Sequence, residues 1–334
     1  MTTGKRRLLI IAGVAISAVF LWYSLRGTDF ARIGEALVRA DWWLSLPMLG
    51  SYCLYYWIKA LRWRMLLAPM TKTTARAIFS PMMIGFMFNN ILPAHLGEFV
   101  RMYLGARQLG IRNTQVLATI VLERMFDFLS VVFFLGLVLI VGKKVPPTLV
   151  DIGYVTALVG LVFMAVAAIY ITWTRPFLAF VKRITFFVPR KLRDAILNQL
   201  EIGVQGLFAL KQPRLLAGIV VTSLAQWACM GVSAYLAIVA VGIETRMSAA
   251  FVVLAATTFG VTLPAAPGFL GSIQAAFKAA LTPYKVSATA AFAASAFFHV
   301  PTYLIVTLPG LYLLKRTGYK MKQIREEAEA AAEE

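Results

Sequence analysis

Eight long apolar stretches constrain this chain more than any other feature. They run Leu8 to Leu25, Trp42 to Ile58, Ala77 to Leu92, Thr114 to Val141, Ile152 to Trp173, Leu215 to Val241, Ala249 to Leu263 and Val286 to Leu314. A helix needs about 20 apolar residues to cross the hydrocarbon core of a bilayer. Backbone polar groups at that depth must be satisfied within the segment, so the pattern predicts an all-α, polytopic membrane protein. Composition agrees. Of 334 residues, 60% are hydrophobic and 14% charged, whereas soluble domains have roughly half and a quarter. A soluble enzyme, a disordered chain and a fibrous chain are excluded on that ground.

Two stretches differ from the rest. The first is cut by Asn89-Asn90-Ile91-Leu92-Pro93, the second by Leu263-Pro264-Ala265-Ala266-Pro267-Gly268. Proline removes a backbone donor and glycine loosens a helix. Irregular backbone at membrane depth survives only inside protein or beside a wet cavity. Each is read as a re-entrant hairpin, over 77–107 and 249–283, leaving six full spans. With both termini cytoplasmic, this arrangement puts 24 Lys and Arg inside and 8 outside, with Arg124 alone in a span, as the positive-inside rule favours. Leu92-Pro93-Ala94 and Leu263-Pro264-Ala265 lie 171 residues apart, as do Gly97 and Gly268. The two hairpins enter from opposite faces, which suggests an inverted repeat, the plan of many secondary transporters.

The expected organisation follows. Residues 1–41 hold an N-terminal anchor helix and connector. Lys5-Arg6-Arg7 before Leu8–Leu25 resembles a signal peptide, but the apolar run is too long and no small-residue cleavage site follows. Residues 42–174 form the first half and 215–314 the second. Residues 175–214 are a basic linker, either an amphipathic helix on the inner leaflet or a loop whose charge sets topology. Residues 315–334 are a charged cytoplasmic tail.

The net charge of +18 would suggest nucleic acid in a soluble fold. Here cytoplasmic loops above anionic headgroups account for it, and no nucleic-acid partner is expected. Cys53 and Cys229 sit singly in apolar runs, read as buried small hydrophobes. No metal or cofactor motif is visible.

Of fifteen carboxylates, only Glu98, Glu123 and Asp127 fall within the apolar segments. Charges there are costly and mark functional sites by default. One cluster is Asn89, Asn90, Pro93, His95, Gly97, Glu98 and Arg101, with Glu98 and Arg101 spaced to share a helix face. That spacing also allows a self-neutralising pair, and the asparagines could merely cap a helix end. The other cluster is Glu123, Arg124 and Asp127, two acids and one base, which needs a cation from elsewhere. The clusters are therefore expected to face each other. The second half offers Pro264, Pro267, Gly268, Gly271, Gln274 and His299. A lone histidine in an apolar helix more often packs than ligates, and Lys278 is expected to snorkel to the interface.

At Asn90-Ile91-Leu92-Pro93 with Gly97-Glu98 and Arg101, Glu123-Arg124 with Asp127, and Pro267-Gly268 with Gly271, the chain resembles the transmembrane-region family of lysylphosphatidylglycerol synthases, the flippase-like proteins. The resemblance covers roughly Trp42 to Leu314. It implies a polytopic inner-membrane protein that moves, or sometimes modifies, lipids. Family members often carry Glu where Gln274 stands and Arg where His299 aligns. No stretch after Leu314 is long enough for the soluble aminoacyl-transfer domain, so lysine transfer to phosphatidylglycerol is not expected.

Three functions follow as expectations. The first is a flippase for a phospholipid or polyprenyl-linked lipid, with Arg101 or Arg124 on an anionic headgroup and Glu98, Glu123 or Asp127 on a cation or proton. The second is a transferase with a polyprenyl-phosphate donor, with Glu98 or Asp127 as base. The third is a non-catalytic subunit of a lipid-synthesis enzyme.

Overall fold

The computed structural model describes residues 15–92, 96–141, 172–186, 207–262 and 267–318, isolated positions between 158 and 197, and residue 327. Pro93, His95, Pro264, most of the Ile152–Trp173 stretch, and Lys5, Arg6 and Arg7 lie outside the described residues. Among those described, the regular structure is helical, without strands. The helices are α1 (Ala15–Leu25), α2 (Phe30–Val38), α3 (Ser45–Leu67), α4 (Ala75–Ile91), α5 (Leu96–Leu109), α6 (Asn113–Val141), α7 (Thr174–Ile184), α8 (Pro213–Ala240), α9 (Met247–Thr262), α10 (Ser272–Leu281) and α11 (Ala288–Thr317).

Local chemistry sets their ends. Asp29, Thr74 and Ser287 cap α2, α4 and α11 by accepting from backbone N–H groups of the first turn. Pro213 opens α8, where its missing N–H costs nothing. Gly318 ends α11 at φ 74°. Leu92 ends α4 in an extended conformation (φ −104°, ψ 146°), the region that a following proline imposes.

The centre of the bundle is the antiparallel pair α3 and α8. Ser51 Oγ donates to the Cys229 carbonyl at 2.8 Å and Ser233 Oγ to the Met48 carbonyl at 3.1 Å. Arg62 Nη1 donates to Ser223 Oγ at 3.0 Å near the other end. Small buried residues on α8, among them Gly231, Ser233, Ala234 and Ala237, let the backbones approach closely.

Helices α4 and α5 fold back on each other. Gln108 Nε2 reaches the Ala77 carbonyl at 2.8 Å, and Gly85 meets Gly97 and Arg101. A Cβ on Gly97 would lie 1.9 Å from the Gly85 carbonyl oxygen, so only glycine fits. Helices α9 and α10 fold back likewise, with Gly260 against Ser272 and Ala276. Helix α4 packs on α11 and α9 on α6, while α5 lies on α6 and α10 on α11. The tip at Pro267–Phe269 packs on α4.

Three details depart from the sequence expectation. Helix α3 continues past Ile58 to Leu67, because Lys59 and Arg62 are paired in the interior rather than released to water. Cys53 is exposed and Cys229 half-buried; Cys53 lies on the outer side of α3, away from its buried Tyr52 and Tyr55. Lys278 does not end in solvent contacts alone. Its Nζ donates to the Tyr23 carbonyl at 2.6 Å and to the Arg26 carbonyl, which fastens α1 to α10.

Among the described residues, Pro213–Ala240 and Ala288–Thr317 are long and apolar enough to cross a membrane by length and composition; Ala15–Leu25 and Met247–Val261 are shorter apolar helices.

Candidate functional site

Seven charged side chains meet where α3, α5, α6 and α8 converge. Helix α6 presents Glu123, Arg124 and Asp127 within one turn. Helix α3 contributes Lys59 and Arg62, spaced i, i+3 and so on one face, and α5 contributes Glu98 and Arg101. Lys59, Arg62, Arg101, Glu123 and Asp127 are all buried.

Each buried carboxylate is surrounded by donors. Glu123 receives a two-pronged contact from Arg101, Nη1 to Oε1 at 3.0 Å and Nη2 to Oε2 at 2.7 Å, and Lys59 Nζ at 2.9 Å. Asp127 receives Lys59 Nζ at 3.1 Å, Arg62 Nη2 at 2.7 Å, Gln226 Nε2 at 2.7 Å and Trp227 Nε1 at 3.0 Å. Aromatic rings complete the setting. The Arg101 guanidinium lies 3.8 Å from the centre of the Trp63 ring, which attracts the cation through its π face. Trp63 is itself held by its Nε1 donating to Thr119 Oγ1 at 3.0 Å.

The accessible part is Arg124 with Glu98. Their ion pair is 2.9 Å long, with the Arg124 side chain 49% exposed and Glu98 18%. Arg124 also lies 3.6 Å from Glu123 and 3.7 Å from Asp127. Glu98 Oε2 and Asn89 Oδ1 are buried acceptors without a hydrogen-bond partner among the described residues. The seven groups comprise four cations and three carboxylates, an excess of one positive charge.

The expected clusters therefore do come together, but not by the pairing that spacing suggested. Glu98 and Arg101 do not neutralise each other: Arg101 crosses to Glu123 and Glu98 to Arg124. Among the described residues, neither asparagine side chain caps α4. Asn90 Nδ2 donates to Thr307 Oγ1 on α11 at 3.0 Å. Pro93 and His95 lie outside the described residues. Lys59 and Arg62, which the expected topology counts among its 24 inner cations, are buried in the core. With Arg101 also buried, the inner count falls from 24 to 21 against 8. The sequence did hold a signal for them: a second-cluster acid lacked a cation, and Lys59 and Arg62 share a face at the end of an apolar run.

The second-half residues form a separate constellation. Gln274 accepts from Gly271 N at 2.8 Å through Oε1, and its Nε2 lies 3.1 Å from His299 Nδ1. The backbone there takes positive φ at Gly268 (75°), Phe269 (55°) and Gly271 (87°), a conformation that glycine accepts without strain. Gln274, with His299 behind it, thus holds the broken backbone of the second hairpin at Gly271. Among the described residues, no hydrogen bond or ion pair joins them to the charged network. The two hairpins meet at Gly268, where an added Cβ would stand 3.7 Å from the Asn90 carbonyl oxygen and 3.1 Å from the Tyr303 ring.

Comparison with known proteins complements this geometry. No solved structure matches the chain. A UPF0104 membrane protein of Pyrococcus horikoshii is 28% identical over 137 residues, which is 40% of this chain and 40% of that protein. The chain thus matches about two fifths of the relative's length. The family described as the lysylphosphatidylglycerol synthase TM region matches residues 10–310. The chain belongs to that family and is a membrane protein.

Proposed function

We propose that the protein is a polytopic lipid transporter of the cell membrane, a flippase that passes the headgroup of a phospholipid or polyprenyl-linked lipid through the bundle while its acyl chains stay in lipid. The observation that carries this reading is the interior charge network with an excess of one cation, which among the described residues opens outward at Arg124 and Glu98. An anionic headgroup is the partner that balances the excess, and an arginine fork suits phosphate. Glu123 and Asp127 meet donors on every side described, so they serve to hold Arg101, Lys59 and Arg62 in place rather than to relay protons.

An inverted repeat of six spans and two hairpins, with both termini cytoplasmic, is part of this proposal. In support, α3 and α8 precede the two hairpins and pack antiparallel. The neighbours also exchange in pairs, α4 on α11 matching α9 on α6 and α5 on α6 matching α10 on α11. The three charges of α6 are each paired within the bundle, which lowers the cost of holding that helix at membrane depth.

The test is reconstitution into liposomes with headgroup-labelled anionic lipids, reading leaflet sidedness by quencher and product mass in one sample. Wild-type protein changes sidedness without a new mass. Arg124→Gln and Glu98→Gln slow it about tenfold or more, the worth of one charge-assisted hydrogen bond, while the thermal midpoint of Arg124→Gln moves little because its side chain is half exposed and such pairs contribute about 1 kcal/mol or less. Wild-type rates in both variants would remove the site. A new product mass would establish a polyprenyl-phosphate transferase instead, and co-purification of a stoichiometric synthase with no sidedness change would establish an accessory subunit.

A further inference from the structure

Helix α7 lies in the linker between the two halves, away from the charged network. The chain reaches it through a bend. Trp173 has non-helical backbone angles (φ −122°, ψ 53°), and Pro176 follows within the first turn, where it has no N–H to give to a preceding helix. At 100° per residue, Trp173, Phe177, Phe180, Val181 and Ile184 fall on one side, with Arg175 and Lys182 opposite and Arg183 flanking. No residue of α7 is buried. Trp173 and Phe180 are each 59% exposed, and Ile184 and Phe186 are exposed too. Ile169, Trp173, Pro176, Phe177 and Phe180 line an open apolar cavity of about 370 Å³.

Charge identifies what covers this face. Between 175 and 214 the sequence has eight Lys and Arg against Asp194 and Glu201. An apolar face flanked by basic side chains suits the boundary between headgroups and acyl chains of an anionic leaflet, where basic residues meet phosphates and rings enter the lipid. Tryptophan at the bend suits the same depth. A protein groove would satisfy the apolar face but leave the cations without a stated partner.

We propose that α7 is an in-plane helix that docks on an anionic lipid surface, with Phe177, Phe180 and Ile184 inserted and Arg175, Lys182 and Arg183 on the headgroups. It is independent of the transport reading, since α7 contributes nothing to the charged network.

The experiment uses the full chain with Cys53 and Cys229 replaced by serine and Phe180→Cys carrying an environment-sensitive fluorophore. It is placed in nanodiscs of phosphatidylcholine alone or with phosphatidylglycerol at low salt. Docking predicts quenching by spin label near the headgroup end of the acyl chain, and protection from aqueous iodide, in discs with phosphatidylglycerol. Lys182→Glu with Arg183→Glu lowers the docked-to-free ratio about fivefold or more per residue, from about 1 kcal/mol per basic residue at an anionic surface. High salt acts in the same direction. Lipid quenching that ignores phosphatidylglycerol and the two reversals would overturn the proposal, as would a label shielded from both quenchers, which is the mark of a protein-covered face. Size-exclusion behaviour matching the parent verifies folding of each variant, and unchanged lipid movement in the reversal variant separates this result from the transport reading.

Discussion

The excess positive charge of the network makes its acids and its bases unequal, and that inequality can be measured. Glu123→Gln keeps the shape but leaves Arg101, 2.7 to 3.0 Å from what becomes a neutral amide, without its counter-charge, takes from Lys59 one of its two carboxylates, and raises the excess from one to two. Removing one partner of a buried pair costs about 3–5 kcal/mol. Lys59→Met removes contacts at 2.9 and 3.1 Å to the two carboxylates, but Arg101 and Arg62 still serve those groups and the excess falls to zero. Its cost is about 1.5–3 kcal/mol, the range for a charge-assisted hydrogen bond. At about 2–4 °C per kcal/mol for larger domains, Glu123→Gln lowers the thermal midpoint by about 6–20 °C and Lys59→Met by about 3–12 °C. The double variant restores the original excess, so its loss is smaller than the sum by about 1 kcal/mol or more. Tryptophan fluorescence in detergent reports the transition directly, since Trp63 stacks on Arg101 and Trp227 donates to Asp127. If Lys59→Met proves as damaging as Glu123→Gln, or if the two losses simply add, the charge-excess argument fails.

Two further variants probe the hairpins. Gly97→Ala places a methyl 1.9 Å from the Gly85 carbonyl and 2.5 Å from Asn89 Oδ1, so it destabilises by about 1–3 kcal/mol or more. Gly136→Ala, with nothing within 4 Å, is neutral in the same melt; equal midpoints for the two would refute the close approach. Gln274→Leu removes the acceptor for Gly271 N and the partner of His299. It costs about 1–3 kcal/mol for buried groups left unpaired and speeds amide hydrogen exchange around Gly271, whereas unchanged exchange there would show that the glutamine does not hold the break.

Much was legible in the sequence because it rests on local rules. Apolar runs of span length specify helices, and Pro93 and Pro267-Gly268 mark where two of them stop. Glu98, Glu123 and Asp127 stood out because acids are rare at that depth. Lys59 and Arg62 did not, because a cation at the edge of an apolar run is also the ordinary topology signal, and composition has no term for a partner 60 residues away. The roles of Gln274 and His299 were hidden for a related reason. Both were candidates for a substrate site, with packing the commoner role for a lone histidine, while the structure spends the hydrogen bonds of Gln274 on Gly271 and His299.

The sequence by itself determined the helical class, the membrane character, the family and the positions of the two breaks, since hydrophobic period, proline and glycine act over a few residues. Only the tertiary structure decided who pairs with whom. Glu98 and Arg101 are three residues apart, yet each takes its partner from α6, because glycine contacts bring α4 and α5 together and α5 lies against α6. In a low-dielectric interior a charge is stabilised by all the groups that packing brings around it, and that set depends on how the helices meet.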